Sequence, residues 1–180
     1  AAFEYAKQYG YKSVTVVEKP NVISETSGLF VRTAREVAKK YPGIELIETN
    51  IDAMCMWLIK NPQSYGVLVA SNMFGDIISD LCAQLVGGLG FASSGNIGDS
   101  YAVFEPTHGS APKYAGQYKV NPMAMFLTAK LMLDWLGEKP MADKLESAIA
   151  TVIREGKVRT YDMGGKDSSL DMAKAVAGKL

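Results

Sequence analysis

Histidine is nearly missing from this chain. His108 is the only one in 180 residues, which excludes a metal centre built on several imidazoles. Cysteine is almost as scarce: Cys55 and Cys82 fall in apolar helical runs and read as buried thiols of a cytoplasmic protein, not as a disulfide framework. Neither sign of charge is in excess, since 19 Lys and Arg balance 19 Asp and Glu. That leaves no basic footprint for nucleic acid and no attraction to an acidic membrane surface. No apolar run nears the ~20 residues of a membrane span, and no signal-peptide pattern or internal repeat is visible. The phosphate-loop pattern GxxxxGK[ST] is missing, and the one start on GxGxxG, at Gly88 and Gly90, meets Ser93 where a third glycine is needed. An initiator Met is also missing, and Ala1 already lies in an amphipathic pattern with Phe3, Tyr5, Ala6 and Tyr9. The chain is therefore expected to start inside a helix, as a fragment.

What is present is ample apolar material, 48% of residues, enough for one large domain or parts of two. Residues 1–10 read as a helix stopped by Gly10, and Ser13 to Val17 as a β-branched strand. A helix from about Leu29 to Lys40, a strand from Glu45 to Glu48 and a helix over 52–60 follow. The apolar run Tyr65 to Ala70 predicts a buried strand, and Ile77 to Val86 a helix. This alternation predicts an α/β fold with a largely parallel sheet. The glycine-rich stretch 87–98 reads as a flexible passage and a domain boundary, dividing the chain into 1–86 and 87–180. An extended segment from Tyr101 to Glu105 and a turn-rich loop come next. Pro122 then opens a helix running to Leu136, apolar over much of its circumference and expected to be buried. Helices over 142–155 and from Ser168 or Ser169 to Ala177 complete the pattern.

Three places concentrate chemistry. Asp76 and Asp80 stand four residues apart, so on a helix they share one face. Two adjacent carboxylates suit a hard divalent cation, or form an acidic first turn facing water. Lys19, held extended by Pro20, points from a strand end into a loop, as a surface charge or a catalytic amine. Asp52, at a helix start, reads as an N-terminal cap. The loop Pro106 to Gly116 gathers His108, Gly109, Ser110 and Ala111 with exposed backbone N–H groups, as an anion cradle or an ordinary connection.

Together, Asn72-x-Phe-Gly-Asp-Ile-x-Ser-Asp80, Gly95-Asn-Ile-Gly and Phe104-Glu-Pro-x-His-Gly-Ser-Ala-Pro112 resemble the isocitrate and isopropylmalate dehydrogenase family. These are metal-dependent decarboxylating dehydrogenases, and the resemblance runs from Ser13 to the last helix. It implies that family's own fold, with a cofactor site that is not GxGxxG, and a homodimer with active sites shared across the interface. It also implies that 1–86 belongs to the small dimerisation domain and 87–180 to the large cofactor domain. Asp76 and Asp80 are then expected to bind Mg²⁺ or Mn²⁺, with Asp52 reaching the metal from the partner subunit. Lys19 and Asn21 match the family's Lys-x-Asn: Lys19 assists proton transfer and Asn21 lies near the nicotinamide. Glu105, His108, Gly109, Ser110, Ala111 and Asn121 match the cofactor pocket.

Lys113-Tyr114, with Tyr161 before Asp162, resembles the NADP-dependent isocitrate enzymes, where a cation suits the 2′-phosphate. Met163-Gly164-Gly165 departs from them, as does Glu18, which stands where a His is usual before the catalytic Lys. Isocitrate with NADP is the expectation. The alternatives are isopropylmalate or homoisocitrate with NAD, and a truncated subunit that dimerises and binds without catalysis. The family's tyrosine acid and substrate-binding arginines lie upstream of Ala1, so these 180 residues alone are expected to be inactive.

Overall fold

A computed structural model describes all residues 1–180, which divide into two compact units, Ala1–Leu85 and Val86–Leu180. In the first unit, helices α1 (Ala2–Tyr9), α2 (Thr26–Ala38), α3 (Ile51–Lys60) and α4 (Asn72–Leu85) alternate with strands β1 (Ser13–Glu18), β2 (Glu45–Asn50) and β3 (Val67–Ala70). The strands form one parallel sheet in the order β2-β1-β3, with Val14 opposite both Leu46 and Val67. β1 is the central strand, and its run Val14 to Glu18 is buried throughout, as a strand covered on both faces must be. Val17 packs with Met54, Leu58 and Ile78 on one side. Val14 packs with Phe3 and Ala6 on the other. Each such valine contributes roughly 1.5–3 kcal/mol by leaving water.

The second unit has a two-stranded antiparallel hairpin, β4 (Ser93–Ile97) and β5 (Ala102–Pro106), followed by α5 (Met123–Trp135), α6 (Lys139–Glu155) and α7 (Ser169–Ala177). Met123 of α5, Ala148, Ile149 and Val152 of α6, and Met172 and Val176 of α7 form its core. Ser168 caps α7 in a complete capping box with Asp171. No helix is long and apolar enough to cross a membrane.

The structure corrects four sequence-based expectations. α4 begins at Asn72, so Asp76 lies beyond the first turn and the reading as an acidic first turn fails. Residues 93–97 are a paired strand, not a flexible passage. Gly95 faces Phe104 across the hairpin, and a Cβ there would sit 3.2 Å from the Phe104 ring and 3.3 Å from Leu131, so the missing side chain admits both. α5 buries Met123, Ala124 and Thr128 where α6, the hairpin and the turn over 89–91 pack on it, but Met125 and Trp135 are exposed. Cys55 and Cys82 are half-buried free thiols, and burial together with the nearby Cys55 raises the Cys82 pKa.

Candidate functional site

In a parallel α/β sheet the carboxyl ends of the strands open onto the helix starts, which is where such folds place ligand groups. β1 ends at Glu18, so Lys19 is the first residue out of the sheet; β2 runs straight into α3, which carries Asp52 in its first turn. The parallel register that sets Glu18 beside Asn50 brings these two side chains together. Lys19 Nζ lies 2.5 Å from Asp52 Oδ1. The hydrogen bond from Lys19 holds the Asp52 carboxyl below its ordinary range. Asp52 is thus not the cap of α3: Asn50 occupies the cap position, and Asp52 turns to the lysine. Asn21 is exposed in the turn that follows, where the Lys19 carbonyl accepts the N–H groups of Val22 and Ile23.

Asp76 and Asp80 are exposed, one helical turn apart on α4, and neither enters an ion pair. Two hard oxygen donors on one face, with no cation of the protein between them, fit a divalent ion that completes its shell with water and other oxygens. The single chain gathers no group of three His, Cys, Asp or Glu side chains that could hold a metal, so Asp52 does not join Asp76 and Asp80 within one protomer.

The second unit holds a cavity of about 430 Å³. Its walls are Gly87 to Gly90, the loop residues His108, Gly109, Ala111 and Tyr114, and Val120, Asn121, Tyr161 and Asp162. Asn121 is the hub. Its Oδ1 accepts the Met123 N–H at 3.0 Å and starts α5, while its Nδ2 donates to Asp162 Oδ2 at 2.9 Å. The fully buried Thr160 donates to the other Asp162 oxygen at 2.5 Å. Gly90 closes over this pair: a Cβ there would lie 2.9 Å from Asp162 Oδ2 and 3.1 Å from Asn121 Nδ2. Only glycine lets the backbone approach so closely.

Beside this cavity two lysines stand over two tyrosine rings. Lys113 Nζ lies 4.8 Å from the centre of the Tyr114 ring, and Lys119 Nζ lies 4.9 Å from it and 5.1 Å from the Tyr161 ring. The rings themselves are 6.0 Å apart. A hydrogen bond with Lys113, and then that lysine's charge, lowers the Tyr114 pKa. This is a cationic, aromatic-backed corner suited to a phosphate.

Of the residues matched to a cofactor pocket, the structure brings His108, Gly109, Ala111, Tyr114, Asn121 and Tyr161 into one cavity, with Lys113 at the Tyr114 ring. Ser110 is exposed in the same loop and does not line the cavity. Glu105 instead accepts from Asn96 Nδ2 at 3.0 Å on the outside of the hairpin. Asp162, Lys119 and Gly87 to Gly90 were missed by sequence reasoning. The spacing of the glycines fails the dinucleotide fingerprint, and their density is the signal available in the sequence. Nothing local marks Lys119.

The chain matches the model of the isocitrate/isopropylmalate dehydrogenase family over residues 1–176. It is 48% identical over 180 residues to isocitrate dehydrogenase [NAD] catalytic subunit 5, mitochondrial, of Arabidopsis thaliana, covering 99% of this chain and 48% of that protein. To 3-isopropylmalate dehydrogenase of Archaeoglobus fulgidus it is 49% identical over 179 residues, covering 99% and 55%. The crystal structure of isocitrate dehydrogenase from Methylococcus capsulatus superposes with a TM-score of 0.95 at 42% identity, over 99% of this chain and 53% of that one. The chain thus spans about half the length of the curated relatives it matches. With a parallel α/β unit, a non-GxGxxG cavity and this match over nearly its whole length, the chain belongs to the isocitrate/isopropylmalate dehydrogenase family.

Proposed function

We propose that the protein containing these residues is a cytoplasmic decarboxylating dehydrogenase that oxidises isocitrate to 2-oxoglutarate with NADP and Mg²⁺ or Mn²⁺. Residues 1–86 belong to its small dimerisation domain and 87–180 to its large cofactor domain. It acts as a homodimer, in which Lys19, Asn21 and Asp52 of one protomer complete the site that Asp76 and Asp80 form in the other. The observation that carries this reading is the Lys19–Asp52 pair, an amine and a carboxylate 2.5 Å apart where the parallel strands open. Within one chain Asp52 does not cluster with the unpaired Asp76 and Asp80, in keeping with a site shared between protomers.

Asp76 and Asp80 hold the cation, and Asp52 adds a third carboxylate across the interface. The cation, when bound, supplies Lewis acidity toward the substrate hydroxyl and the ketone that replaces it. The nicotinamide cofactor supplies the hydride acceptor. Lys19 handles the proton of the C2 hydroxyl and, after CO₂ leaves, the proton that C3 of the enolate must gain. Asp52 orients Lys19 for that exchange through their hydrogen bond. In the second unit, Gly90, Asn121 and Asp162 wall the cavity for the cofactor, and Lys113 and Lys119 face its 2′-phosphate.

A second reading, isopropylmalate or homoisocitrate with NAD, has its own support. The Arabidopsis relative is named for NAD and the Archaeoglobus relative for isopropylmalate, and Met163-Gly164-Gly165 departs from the NADP pattern. The test is nicotinamide reduction by the full-length protein with Mg²⁺ or Mn²⁺. Isocitrate, isopropylmalate and homoisocitrate are each offered with NADP⁺ and NAD⁺. Isocitrate with NADP⁺ ahead is the expected result. NAD⁺ or another acid ahead selects the second reading, and no turnover with any combination overturns both.

A further inference from the structure

Glu18, the last residue of β1, is 1% exposed. A carboxylate is costly to bury unless its oxygens are hydrogen-bonded, and both of these are. Oε2 accepts the Ser27 hydroxyl at 2.6 Å, and Oε1 accepts the Ser71 N–H at 2.7 Å. Each partner opens a helix. Ser27 stands in the first turn of α2, and its Oγ also accepts the Lys19 N–H at 3.4 Å. Ser71 begins α4, since its carbonyl accepts the Gly75 N–H at 2.7 Å. One buried side chain therefore joins the strand end that presents Lys19 to the start of the helix that presents Asp76 and Asp80.

We propose that Glu18 is a positioning residue for the decarboxylating reaction: it clamps the start of α4 and the Lys19 turn to the end of β1. This rests on the function proposed above. In that dimer each protomer lends Lys19 and Asp52 to one site and Asp76 and Asp80 to the other, so the clamp holds both contributions in register. An apolar residue at this position would bury comfortably, yet would leave the Ser71 N–H and the Ser27 hydroxyl without their acceptor.

The test uses the full-length protein and three variants. Glu18→Met fills the volume and accepts neither bond, Ser27→Ala removes one arm, and Glu18→Gln keeps an oxygen that accepts the Ser71 N–H and an amide that donates to Ser27 Oγ, reversing that bond. Two readouts are taken: kcat and KM for acid and cofactor, and hydrogen exchange at the Ser71 amide. The expected result is a fall in kcat of about tenfold or more in folded Glu18→Met and Ser27→Ala, with the cofactor KM within about twofold. Glu18→Gln stays within about threefold in kcat, and Ser71 exchange quickens about tenfold or more in Glu18→Met only. If Glu18→Met does not fold, the kcat of Ser27→Ala decides. The proposal is overturned by unchanged kcat in the folded variants, by unchanged Ser71 exchange in folded Glu18→Met, or by Glu18→Gln falling as far as Glu18→Met. If the unsubstituted protein turns over none of the acids, the proposed reaction fails, and Ser71 exchange still decides separately whether the clamp exists.

Discussion

Asn121 and Asp162 are 41 residues apart in sequence and 2.9 Å apart in space, and the bond between their side chains closes the wall of the glycine-lined cavity. The same Asn121 side chain starts α5 by accepting the Met123 N–H. Replacing it with Ala removes a helix-starting acceptor and a buried partner of Asp162. Asn121→Ala should lower stability by about 1–2 kcal/mol, measured by urea unfolding. It should also weaken cofactor binding about tenfold, measured by fluorescence titration. Unchanged cofactor binding would remove Asn121 from the cofactor site.

Asp76 and Asp80 are exposed and enter no ion pair, so their charges lend the fold of the single chain no salt bridge. Asp76→Asn and Asp80→Asn should each leave thermal unfolding of the metal-free protein unchanged or slightly raised. Each should weaken Mn²⁺ binding by about tenfold or more, since one hard anionic donor is lost. Calorimetric titration of Mn²⁺ into the full-length protein reads this without turnover.

The two lysines at the Tyr114 and Tyr161 rings give a test of cofactor choice. Lys113→Glu and Lys119→Glu should each cut kcat/KM for NADP⁺ about 10–100-fold, because a charge-assisted phosphate contact becomes a repulsion. Values for NAD⁺ should move less than about threefold. Equal losses with both cofactors would mean that the lysines do not read a 2′-phosphate.

Acid stability of the second unit should depend on Asp134. Its side chain is 8% exposed and sits 2.7 Å from Lys130, which also reaches Glu146 on α6, and 3.4 Å from Lys139. Burial pushes its carboxyl up, but the bonds and charges of Lys130 and Lys139 prevail and hold it below the ordinary value. A carboxyl lowered on folding contributes stability that is fully present above the unfolded value, ~4, and is lost as pH falls through the folded one. Asp134→Asn should therefore cost about 1–3 kcal/mol at pH 7. That difference should shrink steadily below pH ~4, as denaturant unfolding at a series of pH values would record.

Much of the fold was legible because its signals are local. The β-branched run of β1, the Asp76/Asp80 spacing and the Ser168 cap each follow from the period of one element, and the α/β alternation follows from their order. The motif residues His108, Gly109, Ala111 and Asn121 could be named from their neighbours in sequence and do share one cavity. What could not be read depends on groups distant along the chain. The glycine-rich composition of 87–98 reads as a flexible passage, and only Phe104 across the hairpin and Leu131 on α5 give Gly95 its place in a strand. Nothing local ties Asp162 to Asn121, 41 residues away, or Lys119 to the Tyr161 ring. Glu18 looked like a departure from a pattern, and its meaning lies in Ser27 and Ser71, 9 and 53 residues away. Periodicity and motif are properties of short stretches and survive in one dimension. The burial of a charge, and the partner that makes it tolerable, exist only once the chain has closed on itself.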